Sequence, residues 1–171
     1  MLTIQNSLLF LSVFLSALIM GLLYGYACSV NPGLNKLTDS EYLRAMQSIN
    51  KEILNPFFFI SFMGTLMILP VTTWYSKSHA TLTCFYLLLA ASIIYIIGVV
   101  GVTAFGNIPL NNALAKFNIL SATSSDLSKQ RSLFEASWNR YHLIRTLFSV
   151  LTTALTITAI IKNGDVNTSY P

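Results

Sequence analysis

The sequence contains few charged residues: Asp, Glu, Lys and Arg make up only 9% of its 171 residues. A soluble domain of this size carries about 25%. Hydrophobic residues make up 54% of the chain, the mean hydropathy is +0.63, and the apolar residues occur in long blocks. This composition excludes an ordinary soluble globular protein.

The residue types that several kinds of site require are also scarce. Only two histidines and six acidic residues are present, without a clear metal-ligand spacing, so we expect no metal and no other cofactor. No glycine-rich phosphate loop indicates a nucleotide site. The internal repeats or broken helices of a transporter and the rings of charge of a channel are not visible. The net charge of +4 arises from an uneven loop distribution, and nothing indicates nucleic-acid binding.

The chain has two cysteines, Cys28 and Cys84. Cys28 follows the first apolar block and Cys84 lies near the start of the third, which places them on opposite faces of an up-and-down bundle. Their Cα atoms cannot then approach the roughly 6 Å that a disulfide requires. We therefore predict two free thiols.

Four apolar blocks are long enough to cross a membrane, since a bilayer core of about 30 Å needs about 20 residues at 1.5 Å each. They cover residues 7–27, 57–75, 80–105 and 141–161. The first block has no preceding Lys or Arg, which disfavours a cleaved signal peptide. We predict an all-α, four-helix transmembrane bundle that forms one integral membrane domain over residues 1–171. Ala17, Gly21 and Gly25 in the first span predict close helix packing within the bundle.

The distribution of Lys and Arg predicts the orientation. The two long connections, between spans one and two and between spans three and four, hold Lys36, Arg44, Lys51, Lys116, Lys129, Arg131 and Arg140, whereas the other side holds Lys77 and Lys162. The positive-inside rule then places the long connections in the cytoplasm and both termini outside.

The first long connection predicts an additional helix. Pro32 and Gly33 indicate a turn after span one. Thr38 and Glu41 have the spacing of a capping box, which begins an amphipathic interfacial helix over residues 39–54. Asn55 can end this helix and cap span two, because proline at position 56 suits the first turn of a helix.

The second long connection is predicted to begin at GNIPLNN (106–112). No glycine or proline occurs between residues 110 and 163. A helix from Asp126 to Ile161 would be about 54 Å long and would project beyond the membrane, with Gly164 as its end signal. The tail carries a glycosylation-type motif, Asn167-Thr168-Ser169.

Polar residues at membrane depth concentrate on the side of the long connections, and the opposite side has no comparable set. Trp138, His142 and Arg145 are spaced i, i+4, i+7 and therefore share one helix face. Polar groups in a bilayer face the bundle interior or a wet cavity. We predict a polar pocket near this face of the membrane, drawn from Asn31, Gln47, Asn50, Asn55, Asn107, Asn111, Asn112, Trp138, His142 and Arg145.

These side chains suit proton removal next to a carbonyl. His142 can accept a proton near neutral pH, and Arg145 with the amides of Asn107 and Asn111 can stabilise an oxyanion. These four are the candidate catalytic residues. The candidate substrate-binding residues are Trp138, Asn50, Gln47, Asn31 and Tyr24, of which the aromatic ones, together with Tyr26, can stack on a flat substrate. The structural alternative is that the asparagines cap helices and that the arginine reaches lipid headgroups.

Five segments resemble a family of small four-span membrane proteins that includes the anthrone oxygenases. They are VNPGL (30–34), AMQSIN (45–50), Asn55-Pro56, VTAFGNIPLNNAL (102–114) and WNRYHLIRT (138–146). The family pattern often has asparagine where this chain has His142. The resemblance implies oxidation of an anthrone to an anthraquinone by dioxygen, without metal or flavin. The family has bacterial members, so the resemblance also implies a bacterial inner-membrane protein.

Two functions follow as expectations. The first is a cofactor-independent, oxygenase-like membrane enzyme that acts on an anthrone, a quinone-type or another aromatic molecule in the polar pocket. The alternative is a non-enzymatic membrane subunit that binds a lipid, a hydrophobic ligand or a protein partner. The expected partners are membrane lipid, the aromatic small molecule and further copies of the chain in a homo-oligomer.

Overall fold

The computed structural model describes residues 3–167, and the side chains of residues 3–164. All regular elements in that range are helical. The α-helices are α1 (Ile4–Gly25), α2 (Asn31–Leu34), α3 (Asp39–Glu52), α4 (Pro56–His79), α5 (Leu82–Ile94), α6 (Ile108–Ala115) and α7 (Ser124–Asn167), and wider π-helical turns cover Tyr26–Val30, Tyr95–Gly101 and Thr103–Asn107.

Four continuous helices are long and apolar enough to cross a membrane: Ile4–Leu34, Pro56–His79, Leu82–Ala115 and Ser124–Gly164. The chain is therefore a multi-pass membrane protein with an all-α, four-helix transmembrane bundle, as predicted. The helix α7 has 44 residues, which corresponds to about 66 Å and exceeds the thickness of the bilayer core. It continues through Gly164, so the predicted end signal is wrong. The motif at residues 167–169 runs beyond the described residues.

Two predicted turns are wrong, because the first and third spans continue through Pro32 and Pro109. In both places the residue before the proline donates its backbone N–H five residues back: Asn31 to the carbonyl of Tyr26, and Ile108 to that of Thr103. A proline inside an α-helix clashes with the preceding turn and removes a hydrogen bond. The wider π turn just before each proline accommodates the ring, so the helix continues.

The predicted amphipathic helix and its caps are confirmed, and the helix covers Asp39–Glu52. The Thr38 hydroxyl accepts from the Glu41 N–H, and the Glu41 carboxylate accepts from the Thr38 N–H at 3.0 Å. Asn55 Oδ1 accepts from the Phe58 N–H at 3.1 Å and caps α4. The Thr38 hydrogen bonds lower the pKa of the Glu41 carboxyl. This contribution to stability is present above the ordinary pKa of glutamate and is lost as the pH falls through the lowered value.

Close helix packing occurs at glycines other than the predicted ones. A Cβ at Gly21 or Gly25 would meet no atom within 4 Å, so the predicted packing of these glycines inside the bundle is wrong. A Cβ at Gly98 would overlap the Phe148 side chain, and a Cβ at Gly106 would lie 2.7 Å from the Tyr141 ring. The third span therefore approaches α7 most closely where its helix is π-helical.

Hydroxyl and amide side chains also join the helices in the other half of the bundle, where the sequence suggested no comparable set. Ser12 bonds to Thr72 at 2.8 Å, and Thr73 bonds to Ser92 at 2.9 Å. Gln5 donates to the buried Ser76 hydroxyl at 2.9 Å. Such bonds between membrane helices contribute about 0.6–2 kcal/mol each. The bundle interior is thus polar along much of its length.

A partly buried arginine, Arg131, joins α3 to α7. The Arg131 guanidinium donates to Glu135 at 2.7 Å, to the Leu37 carbonyl at 2.8 Å and to Asp39 at 3.1 Å. It also bonds to Asn35 and lies 4.5 Å from the centroid of the Tyr42 ring. All these partners except Glu135 come from the first long connection.

Arg131→Ala is expected to release the N-terminal part of α3 from α7. Its partly exposed partners would lose their donor, which destabilises this docking by about 1–2 kcal/mol. The measurement is amide hydrogen exchange of residues 39–52 in detergent, and the exposed Lys129, replaced by Ala, is the control. Equal exchange rates in the two variants would contradict this function of Arg131.

Candidate functional site

The predicted helix face of α7 is present. The rings of Trp138 and His142 stack nearly parallel, with an angle of 8° and 5.0 Å between their centroids. The guanidinium carbon of Arg145 lies 5.5 Å from the Trp138 centroid, at cation–π distance. Trp138 and His142 are buried. We call these three residues, together with Tyr26, Asn107 and Asn111, the Trp138 cluster.

The hydrogen bonds of His142 determine its protonation. Its Nε2 lies 3.1 Å from the Leu23 carbonyl oxygen, which can only accept. Its Nδ1 lies 3.0 Å from Nη2 and 3.3 Å from Nε of Arg145, which can only donate. His142 is therefore neutral with its proton on Nε2, and the lone pair of Nδ1 is occupied by Arg145. The nitrogen that would act as a base is not free in this arrangement.

Arg145 points into the bundle. Besides His142, it donates to the Thr103 hydroxyl at 3.4 Å. It forms no ion pair with any side chain in the described part of the protein. An arginine at membrane depth without a carboxylate partner is energetically unfavourable. The cluster therefore has a positive charge that an anionic group would stabilise.

The two central asparagines hold Trp138. The indole Nε1 donates to Asn111 Oδ1 at 2.8 Å, and Asn107 Nδ2 donates to the Trp138 carbonyl at 3.3 Å. Asn107 is 1% exposed, and its Oδ1 has no hydrogen-bond partner among the described residues. Asn107 and Asn111 thus fix the position of Trp138 in the stacked ring pair, and Asn107 Oδ1 can accept one more hydrogen bond.

Tyr26 belongs to the cluster, whereas Tyr24 does not. The Tyr26 ring lies 5.4 Å from Trp138 and 5.0 Å from His142, and its hydroxyl donates to Met46 Sδ at 3.2 Å. Tyr24 is 59% exposed and faces away from the bundle, so the structure does not support its assignment to substrate binding. Tyr26 follows the buried residues Ile19 and Leu23 at i+7 and i+3, which places it on the inner stripe of α1; the uniformly apolar sequence of this span does not distinguish Tyr26 from Tyr24.

The other predicted binding residues lie in or beside α2 and α3. Gln47 Nε2 donates to the carbonyls of Leu114 and Phe117 at 2.8 and 3.0 Å, and so anchors α3 to the end of α6. Asn31 begins α2, and the Nδ2 of Asn50 is buried without a partner. Neither of these two side chains hydrogen-bonds to the described residues of the Trp138 cluster.

Two π-helical turns flank the cluster. Tyr26 begins the first, and Thr103 and Asn107 bound another, so both turns supply residues that contact α7. Single π turns within α-helices occur frequently at functional sites, because they reorient a side chain at a small cost in helix stability. Their convergence on one stretch of α7 marks the cluster as the candidate site.

Two surface clefts lie elsewhere. One of about 450 Å³ is lined by Phe117, Asp126 and Lys129 among others, beside the start of α7. The other, of about 370 Å³, lies between the start of α1 and the end of α7, near Asn6 and Asn163. The described side chains include no group of three or more His, Cys, Asp or Glu residues that could hold a metal ion.

A family model described as anthrone oxygenase matches residues 46–155, well over half of the chain. The matched range begins within α3, at residue 46, and contains all of the cluster except Tyr26. No curated protein and no solved structure matches the chain. The chain belongs to the anthrone oxygenase family.

Proposed function

We propose that the protein is a membrane oxygenase that oxidises an anthrone or a similar aromatic ketone to a quinone, using dioxygen as the oxidant and the Trp138 cluster as its site. Family membership supports the reaction class. The observation that carries the assignment of the site is the guanidinium of Arg145, which lies 5.5 Å from the Trp138 ring centroid and has no ion-pair partner among the described side chains. This arrangement suits an aromatic molecule that becomes an anion.

The reaction balances with dioxygen alone. The CH₂ carbon opposite the ketone loses a proton and leaves an enolate. That carbon bonds to dioxygen, and a proton completes a hydroperoxide. Loss of water then breaks the O–O bond, removes the second hydrogen from the carbon and forms a second carbonyl. One anthrone and one dioxygen give one anthraquinone and one water.

Arg145 and His142 have linked functions in this proposal. When the guanidinium donates to the enolate oxygen instead of His142 Nδ1, the lone pair of that nitrogen becomes free to accept the proton. Trp138 orients the flat ring, and Asn107 and Asn111 hold Trp138. One oriented donor to a developing oxyanion contributes about 10²–10³-fold to the rate, and orientation of the substrate contributes further.

The proposed setting follows from the loop charges. The long connections lie on the cytoplasmic side of a bacterial inner membrane and both termini lie outside. The cluster is then close to the cytoplasmic face, where an apolar aromatic substrate can enter from membrane lipid. In this proposal the protein forms a homo-oligomer, and the exposed apolar faces of its spans contact membrane lipid or further copies of the chain.

Replacement of His142 tests the linked functions. An asparagine at this position can accept from Arg145 and donate to the Leu23 carbonyl, but it is a much weaker base. We expect His142→Asn to keep the fold and to lose about 10²-fold in oxygen uptake with an anthrone at neutral pH, which is the contribution of a general base. His142→Leu loses the same contribution and also leaves Arg145 without its partner.

The dependence of the uptake rate on pH distinguishes two functions of His142, that of a general base and that of a structural partner of Arg145. Hydroxide can replace a missing base, so uptake by His142→Asn should rise steeply with pH, whereas the wild-type rate should level off. Equal rates and equal pH profiles for wild type and His142→Asn would rule out His142 as the base and leave it as a partner of Arg145.

A further inference from the structure

We propose that Tyr26 is a further substrate-binding residue, whose hydroxyl donates a hydrogen bond to the carbonyl oxygen of the aromatic substrate in place of Met46. This inference rests on the proposed function, because it concerns the ligand of the same site. It assigns a function to a residue outside the range that the family model matches.

The position of Tyr26 supports this function. Its ring contacts both members of the stacked pair on α7, at 5.4 Å from Trp138 and 5.0 Å from His142. Arg145 contacts the same two side chains, at 5.5 Å from the Trp138 centroid and by hydrogen bonds to His142. Phe134 and His142 both stack on Trp138. A flat ligand at the edge of this stack therefore has two donors near it, one neutral and one charged.

The present partner of the Tyr26 hydroxyl is weak. Its described hydrogen bond is to Met46 Sδ at 3.2 Å, and a thioether sulfur is a poor acceptor. A buried phenol usually bonds to an oxygen, as Tyr95 does with the Phe62 carbonyl at 2.9 Å. Exchange of the sulfur for a ketone oxygen would strengthen the hydrogen bond. The Tyr26 hydroxyl would therefore form a stronger hydrogen bond with a substrate carbonyl than it forms with Met46 Sδ.

Met46 can move without the rest of α3. Its side chain is unbranched with three rotatable bonds, so it changes rotamer at low cost. The helix that carries it is held at one end by Arg131 and near the other by Gln47. Met46 is buried together with Trp138 and Phe134, and Tyr26 packs against the same group. Displacement of this one side chain would free the Tyr26 hydroxyl for the carbonyl oxygen of the substrate.

Binding of a matched pair of probes tests the proposal without depending on turnover. Anthraquinone and anthracene have the same three fused rings, and only the first has carbonyl oxygens. Trp74 is 77% exposed and distant in sequence from the cluster. In a Trp74→Phe background, the remaining tryptophan, Trp138, reports binding through quenching of its fluorescence in detergent micelles.

Tyr26→Phe keeps the ring and removes the hydroxyl. We expect it to lower the affinity for anthraquinone by roughly five- to tenfold, the contribution of one hydrogen bond, and to leave the affinity for anthracene unchanged. Tyr24→Phe, the same substitution on the outer face, is the matched control and should change neither affinity. An unchanged anthraquinone affinity in Tyr26→Phe, an equal loss for both probes, or no binding of either probe by the background protein would overturn the proposal.

Oxygen uptake separates this inference from the proposed function. If the Trp74→Phe protein oxidises an anthrone but its preference for anthraquinone over anthracene is the same with and without the Tyr26 hydroxyl, the inference is wrong and the proposed function stands. If the protein takes up no oxygen with an anthrone but its preference for anthraquinone over anthracene depends on Tyr26, the proposed function is wrong and Tyr26 remains a ligand-binding residue.

Discussion

Arg145→Ala is expected to reduce oxygen uptake with an anthrone by about 10²–10³-fold, because it removes the donor that stabilises the developing enolate oxygen. The fold should be retained, since the guanidinium has no ion-pair partner among the described side chains and its loss leaves no carboxylate unpaired. The thermal midpoint in detergent is measured beside the uptake rate. A lower rate at an unchanged midpoint is the expected result.

Two further variants sharpen this experiment. Arg140→Ala removes an exposed arginine on the same helix, which stacks on Tyr141 at 5.5 Å and does not touch the cluster. It should leave uptake unchanged. Arg145→Lys keeps the charge and loses the fork of donors that reaches both His142 and Thr103, so an intermediate rate is expected. If Arg145→Ala and Arg140→Ala have the same rate, the assigned function of Arg145 is wrong.

Gly98→Ala is expected to have the largest effect on stability. The added Cβ would lie 2.7 Å from the Cβ of Phe148 and closer still to its ring. Rotation of the ring cannot relieve the overlap, because a Cβ is fixed to its backbone. The third span and α7 would have to separate, and overpacking of this kind costs about 1–3 kcal/mol. The measurement is the thermal midpoint of unfolding in detergent.

Gly21→Ala is the matched control, because a Cβ there meets no atom within 4 Å. It should leave the midpoint unchanged or raise it slightly, since alanine favours a helix over glycine. Phe148→Ala in the Gly98→Ala background should recover part of the lost stability, as expected for two residues in direct contact. Equal midpoints for Gly98→Ala and Gly21→Ala would contradict the close approach of the two helices.

Regular periodicity accounts for the part of the site that could be predicted. The spacing of Trp138, His142 and Arg145 fixes their common face on any α-helix, and the structure brings them together. The capping box of Thr38 and Glu41 is equally local and was predictable for the same reason. Apolar block length alone gave the four spans.

The remaining features depend on irregular turns or on distant contacts. Proline normally ends a helix, so the sequence predicted turns at Pro32 and Pro109, and the π turns that accommodate them have no simple sequence pattern. The sequence shows Arg131 only as a loop charge, because its partners Leu37 and Asp39 lie more than 90 residues away. Tyr24 and Tyr26 lie in the same apolar stretch, and only the burial of Ile19 and Leu23 in the structure shows that Tyr26 lies on the inner stripe of α1.

The most direct test of the central claim is oxygen uptake by the purified protein with an anthrone, measured together with the formation of anthraquinone. Our account predicts a rate above the uncatalysed reaction, one anthraquinone formed for each dioxygen consumed, and a fall towards the uncatalysed rate in Arg145→Ala. A folded wild-type protein that does not exceed the uncatalysed rate would contradict the account and favour a membrane subunit that binds a hydrophobic ligand without converting it.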